Sequence, residues 1–181
     1  MKMKINIKDR FEFRSIRPHE AAQAVKIEQI CFPPNEACSE EHIKERILKA
    51  SELFLVAIDK ENGKIAGFLN GLATDESSFR DEFFTDISLH NPKGANVMLL
   101  GLDVLPKYRG QGLAREIVSC YKMREQKNNR KRLILTCLDS KVSMYLKMDF
   151  IDHGIANSIW GGEEWHEMSA TIDTDHSPIH V

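Results

Sequence analysis

The sequence has few cysteines, no long apolar run and no surplus of charge of either sign, and each shortage removes a class of protein. Four cysteines (Cys31, Cys38, Cys120 and Cys137) are scattered over 181 residues with no C-x-x-C spacing, which disfavours a zinc ribbon or a redox pair. A chain this long and this poor in cysteine is not a disulfide-dense secreted scaffold, so reduced thiols and a cytoplasmic location are expected. No segment approaches the roughly 20 apolar residues of a membrane span. The N-terminal segment alternates charged with apolar residues and lacks the continuous apolar centre of a signal peptide. Lysine and arginine total 25 against 27 aspartates and glutamates, a near-balance that argues against a dedicated nucleic-acid or anionic-membrane binder. The seven histidines form no H-E-x-x-H and no i, i+4 pair on one helix, so no metal site is expected.

What remains is globular: 42% hydrophobic and 29% charged residues, enough for one domain with its own core. Residues 10–17 alternate polar and apolar, as a half-buried strand does. Pro18 opens a helix-forming stretch in which Ala21, Val25, Ile27 and Ile30 lie at helical spacing, and Pro33 and Pro34 must stop it. Ser39, followed by two glutamates, starts a second helix. Strands at 52–59 and 64–74 are joined through Asn62-Gly63, which supplies the positive φ of a tight hairpin. Residues 75–96 read as a long surface loop. The apolar run 96–105 fits a central strand, 112–127 a helix and 132–138 a second buried strand, with Asp139 or Ser140 capping a short helix. Strands near 149–155 and 164–172 complete an α/β domain with a mixed sheet over 10–173, leaving 1–9 and a frayed 174–181 as terminal segments.

The chemistry lies in Leu102-Asp103-Val104-Leu105-Pro106-Lys107-Tyr108-Arg109-Gly110-Gln111-Gly112-Leu113-Ala114. A buried strand runs through a two-glycine turn into a helix start, where unpaired amides and the helix dipole make an anion site. Glycines at 110 and 112 remove side chains that would hold a phosphate away, so the segment reads as a diphosphate cradle. A dinucleotide fold would want a third glycine where Arg115 stands, and the P-loop pattern is absent. On glycine spacing alone, a ligand-free turn is the competing reading.

The longer pattern L-x-V-x-P-x-Y-R-G-x-G-x-A resembles motif A of the GNAT N-acetyltransferase superfamily, with Arg109, Gly112 and Ala114 on its Arg/Gln-x-x-Gly-x-Gly/Ala positions. The resemblance implies a mixed, mostly antiparallel sheet splayed at the motif-A strand, and acetyl-CoA as donor without a metal. It implies that the amides of Arg109, Gly110, Gln111, Gly112, Leu113 and Ala114 hold pyrophosphate. Leu102, Asp103 and Val104 would pair with the pantetheine arm, a backbone amide of that strand polarising the thioester carbonyl. The Arg109 side chain would either reach phosphate or stay in solvent.

Cys31-Phe32-Pro33-Pro34-Asn35-Glu36, Leu89-His90-Asn91-Pro92 and Met144-Tyr145-Leu146 are similar to the arylalkylamine N-acetyltransferase branch, in its microbial form. This finer likeness implies a small primary amine as acceptor and Tyr145 as general acid to the departing thiolate. Phe32, Pro33, Pro34 and the 75–96 segment would shape the acceptor pocket, and Glu28 and Glu36 would suit a cationic amine. The two histidines that relay the amine proton in the animal enzymes fall here on Met98 and Leu100, which carry no proton. The base is then a water chain or an acid such as Glu28, Glu36 or Asp103; for Asp103, capping of the following loop is the preferred role. Cys137 reads as a buried thiol rather than a nucleophile. A polyamine or protein-amine acceptor and a non-catalytic acetyl-CoA sensor are the alternatives. Monomer and homodimer both stay open.

Overall fold

The structure, a computed structural model, describes residues 6–172. The expected tail from 174 onward, with His176 and His180, lies outside the described residues. Seven strands form one sheet: β1 (Phe11–Ser15), β2 (Phe54–Asp59), β3 (Lys64–Thr74), β4 (Asn96–Val104), β5 (Arg132–Cys137), β6 (Ile151–Ile155) and β7 (His166–Thr171). The order across the sheet is β1-β2-β3-β4-β5-β7-β6. Every pairing is antiparallel except that of β4 with β5. The helices are α1 (Ile7–Arg10), α2 (Ala21–Cys31), α3 (Glu40–Lys49), α4 (Leu113–Lys127) and α5 (Asp139–Leu146). The element order therefore matches the sequence reading, with the single turn of α1 added in front.

Burial on both faces of the sheet explains the apolar runs. Along β2, Leu55 and Ala57 point into a core with α4 and α5, while Phe54, Val56 and Ile58 point into a second core with α2 and α3. Local chemistry sets the helix ends: Ser39 Oγ accepts from the His42 amide to start α3, and the Asn62-Gly63 turn closes on Asp59 with Gly63 at φ 69°. Three expectations need correction. Residues 75–94 do run largely over the surface, but the segment is anchored by buried Phe79, Phe83 and Phe84 and carries two 3₁₀ turns, Asp81–Phe84 and Ile87–Leu89, rather than being a plain loop. The inward stripe of α2 is Ala24, Val25, Ile27 and Glu28, with Ile30 facing out. Neither Asp139 nor Ser140 caps α5; Leu138 holds the cap position without a side-chain bond, and Asp139 sits in the first turn as a charge on the dipole. Among the described residues, no helix is long and apolar enough to cross a membrane.

Candidate active site

Two irregularities in β4 open the site. Its parallel pairing with β5 covers only Asn96, Val97 and Met98, opposite Arg132, Leu133 and Ile134. Beyond Met98 the two strands part. The second irregularity is a bulge: Asn70 pairs with Gly101 and Gly71 with Leu99, so Leu100 has no partner on β3. A residue inserted this way shifts every later side chain to the other face. Before the bulge, Val97 and Leu99 face the α4 core and Met98 and Leu100 the α2 core. After it, Leu102 and Val104 face α4. Asp103 is turned toward Glu28, Cys31 and Cys38. A cavity of about 430 Å³ fills the gap, walled by Leu99 to Leu102 on one side and Leu135 to Leu138 on the other.

One end of this cleft is the glycine turn. Gly110 and Gly112 take φ of 75° and 86°, and Gly112 is the N-cap of α4. The first bond into α4 runs from the Glu116 amide to Gly112 O, so the amides of Leu113, Ala114 and Arg115 precede any intrahelical partner. Among the described residues, no backbone acceptor meets the amides of Gly110, Gln111 or Gly112. The Arg109 amide is not part of this cradle, because it donates to Pro106 O at 3.2 Å. Its side chain stays exposed, as one of the two expected roles has it, lines the cavity, and donates through Nε to Val104 O at 2.9 Å, tying the turn to the end of β4. Cys31 Sγ reaches the same carbonyl at 3.4 Å, so α2 is fastened there too. Tyr108 anchors the turn from below, its hydroxyl donating to Asp59 at 2.6 Å.

The other end is an aromatic chamber. Phe32, Pro33, Glu28 and Glu36, all expected to shape the acceptor side, line the same cavity. Phe84, from the 75–96 segment expected at the acceptor pocket, completes the wall with Trp160 and Trp165, which the sequence did not single out. Phe84 and Trp160 stack at 4.5 Å with 28° between planes. Trp160 Nε1 donates to Glu36 O and Trp165 Nε1 to Trp160 O, each at 2.8 Å. The β6–β7 connection thus locks the segment after α2 into place. The available signal was compositional: both tryptophans of the chain fall within six residues of each other.

The acetyltransferase (GNAT) family matches residues 21–150, well over half of the chain. The protein belongs to the GNAT acetyltransferase family. Solved structures agree on the fold. The loading GNATL domain of CurA from Lyngbya majuscula aligns with a TM-score of 0.77 at 14% identity, over 90% of this chain and 98% of that one. A phosphinothricin acetyltransferase from Sinorhizobium meliloti, in complex with acetyl-CoA, aligns at 0.65 with 14% identity, covering 94% and 93%. The putative acetyltransferase yncA from Salmonella typhimurium, with its cofactor acetyl-CoA, aligns at 0.61 with 15% identity, covering 94% and 99%. No curated protein matches the sequence.

Within this GNAT cleft the titratable groups are few. Tyr145, on α5, lines the cavity, and its ring meets Phe150 edge-on at 5.5 Å. Burial raises its phenol well above the ordinary value, and nearby Cys137 and Asp103 add to the shift. Cys137 is buried with Sγ 3.5 Å from Met168 Sδ, and desolvation pushes its thiol up to about 12. Such a thiol stays protonated and is no nucleophile at neutral pH. Met98 and Leu100 are both buried apolar residues of the α2 core. Asp103 does not cap the loop: it is 0% exposed and neither carboxyl oxygen has a hydrogen-bond partner. No group of three or more His, Cys, Asp or Glu is gathered for a metal among the described residues.

Proposed function

We propose that the protein transfers the acetyl group of acetyl-CoA directly to the primary amine of a small arylalkylamine-like acceptor. The observation that carries this reading is the cleft itself, which joins a cradle of unpaired amides to an aromatic, carboxylate-bearing chamber. The amides from Gly110 to Arg115 would hold pyrophosphate at the positive end of α4. The edge of β4 beyond Met98, freed from β5, offers backbone groups to the amides of a pantetheine arm, as an added strand would. A thioester laid along it points into the chamber, and a backbone N–H there would polarise its carbonyl.

Tyr145 supplies the proton for the departing thiolate. Its raised phenol is a weaker acid than free tyrosine, but a thiolate released in the same cleft is desolvated too and binds its proton more tightly. Donor and acceptor shift together, so the transfer is not disfavoured by burial. Purified protein with acetyl-CoA should release free CoA when phenethylamine is added. Absence of release with arylalkylamines, polyamines and lysine peptides alike would overturn the reading in favour of an acetyl-CoA sensor.

A polyamine acceptor is the second reading, because Glu36 lies close enough to Glu163 for its carboxyl to be raised by burial and by that charge. Two neighbouring acids, Glu36 on the cavity wall and Glu163 beside it, suit a second ammonium group. Trp160→Ala separates the two: it should raise the KM of phenethylamine by about tenfold through loss of the aromatic wall. The KM of acetyl-CoA should not move, and a linear polyamine should be affected far less.

A further inference from the structure

The 3₁₀ turn Asp81–Phe84 offers two side chains to the β6–β7 connection. Three residues make one turn of such a helix, so Asp81 and Phe84 stand on the same side. Phe84 stacks on Trp160, and Asp81 holds the two residues before it: Ser158 Oγ donates to Asp81 Oδ1, and the Ile159 amide donates to Asp81 Oδ2 at 2.9 Å. Ser158 Oγ in turn accepts from the Trp160 amide at 3.4 Å. The Asp81 carboxyl thus fixes which way the Ser158 hydroxyl points, and with it the backbone that carries the indole. The turn itself is firmly seated. Phe83 is buried, and the buried guanidinium of Arg46 donates to Phe84 O at 2.7 Å and to Asn70 Oδ1 at 3.1 Å.

The connection that Asp81 grips has little else to hold it. Ile159 is 84% exposed, and Gly162, Glu163 and Glu164 face solvent. Gly161 and Gly162 follow Trp160 with φ of 62° and 74°, so the chain turns sharply just after the indole. Two more ties come from the segment after α2: Asn35 Nδ2 donates to Gly161 O at 3.0 Å, and Glu36 O accepts the indole N–H. That segment is itself exposed from Pro33 to Asn35. The Asp81 tie is the one that ends on a buried base. A connection with few buried contacts and solvent-exposed hydrogen bonds opens at small cost in free energy. Cutting the Asp81 tie leaves the Trp160 ring free to part from Phe84.

We propose that Asp81 is a positioning residue for the acceptor wall: through Ser158 and the Ile159 amide it holds Trp160 against Phe84 before an amine arrives, and so sets a preference for a flat aromatic acceptor over a linear one. The aromatic acceptor rests on the acetyl-transfer reading above; the latch rests on the geometry. Asp81 does not line the cavity, so its effect reaches the acceptor through Trp160. An indole already ordered in the free protein spares the acceptor the entropy of ordering it. A ring lying against the Phe84–Trp160 pair gains from that order. A linear polyamine drawn to Glu36 and Glu163 by charge does not depend on it.

The test compares wild type, Asp81→Ala, Trp160→Ala and the double variant, with phenethylamine and with spermidine as acceptor. Asp81→Ala should raise the KM of phenethylamine about three- to tenfold, the range for ordering one large side chain on binding. The KM values of spermidine and acetyl-CoA should stay within about twofold. In the Trp160→Ala background, Asp81→Ala should change the phenethylamine KM by less than about twofold, because no indole is left to hold. A merely structural role would add the two losses in full, or raise all three KM values together. A second readout needs no turnover. The difference in emission between a protein and its Trp160→Ala counterpart isolates Trp160; Asp81→Ala should shift that emission to the red and open it to acrylamide quenching. Ser158→Ala cuts the same relay more mildly and should move KM and emission the same way, by less; it carries the test if Asp81→Ala does not fold. Additive losses, or an unmoved Trp160 emission, would overturn the latch. A shifted emission in a protein that releases no CoA with any amine would instead overturn the acetyl-transfer reading alone.

Discussion

Tyr145→Phe is expected to lower kcat by about 100-fold or more, the range found when a positioned general acid is removed. The KM values of acetyl-CoA and amine should stay near those of the wild type, because the hydroxyl contributes to the transition state and not to ground-state binding. The substitution is conservative in the fold. The Tyr145 hydroxyl makes no hydrogen bond among the described residues, and the ring contact with Phe150 is kept, so the thermal midpoint should hardly move. The pH dependence gives a second readout. With its phenol raised, Tyr145 stays protonated through the neutral and mildly alkaline range and should contribute no falling limb to kcat there. A variant within about threefold of wild-type kcat would remove Tyr145 from the mechanism.

Gly112→Val should act on the donor alone. Gly112 holds φ at 86°, a conformation that costs a residue with a Cβ about 1–2 kcal/mol and a β-branched one more. Space is not the obstacle, since the nearest atom to an added Cβ is Ile7 Cδ1 at 3.4 Å. The strain would turn the amides at the start of α4, and the side chain would stand where a phosphate must approach. An increase of about tenfold or more in the KM of acetyl-CoA is expected, with the amine KM unchanged. Gly112→Ala should fall between the two. Steady-state kinetics with each substrate varied in turn checks this, and an unchanged acetyl-CoA KM would mean that the turn holds no phosphate.

The sequence was most legible where one local rule acts alone. Apolar runs marked β2, β4 and β5, the Asn62-Gly63 hairpin and the Ser39 cap followed from backbone chemistry, and the glycine turn followed from spacing. It was least legible where two distant segments decide together. The bulge at Leu100 depends on how β3 and β4 settle their register, and nothing in the local string signals an unpaired residue. Asp103 therefore looked like a loop cap, when its face is set by an irregularity three residues earlier. Glu28 sits on the inward stripe of α2, where the Cys38 amide donates to it, a partner helical periodicity does not count. Arg109 stays exposed, but that its Nε also ties back to the last carbonyl of β4 could not be read from the local string. Trp160 and Trp165 reach the site through a connection that crosses back to Glu36, a contact separated by more than a hundred residues.

The bulge also makes chain length at one point a carrier of chemistry. Were Leu100 paired with Asn70 rather than bulged out, β4 would meet β3 without interruption, and by ordinary criteria that is a more regular sheet. Yet the parity of every residue from 101 to 104 would reverse: the carboxyl of Asp103 would swing to the α4 side, and Leu102 and Val104 would fill the chamber beside α2. No side chain need change identity for the site to vanish. Aligning this strand by counting back from Arg109 crosses the same point, so residues with matching positions in a relative without the bulge would stand on opposite faces. The polarity of the acceptor chamber is thus written in a count of residues rather than in their kinds.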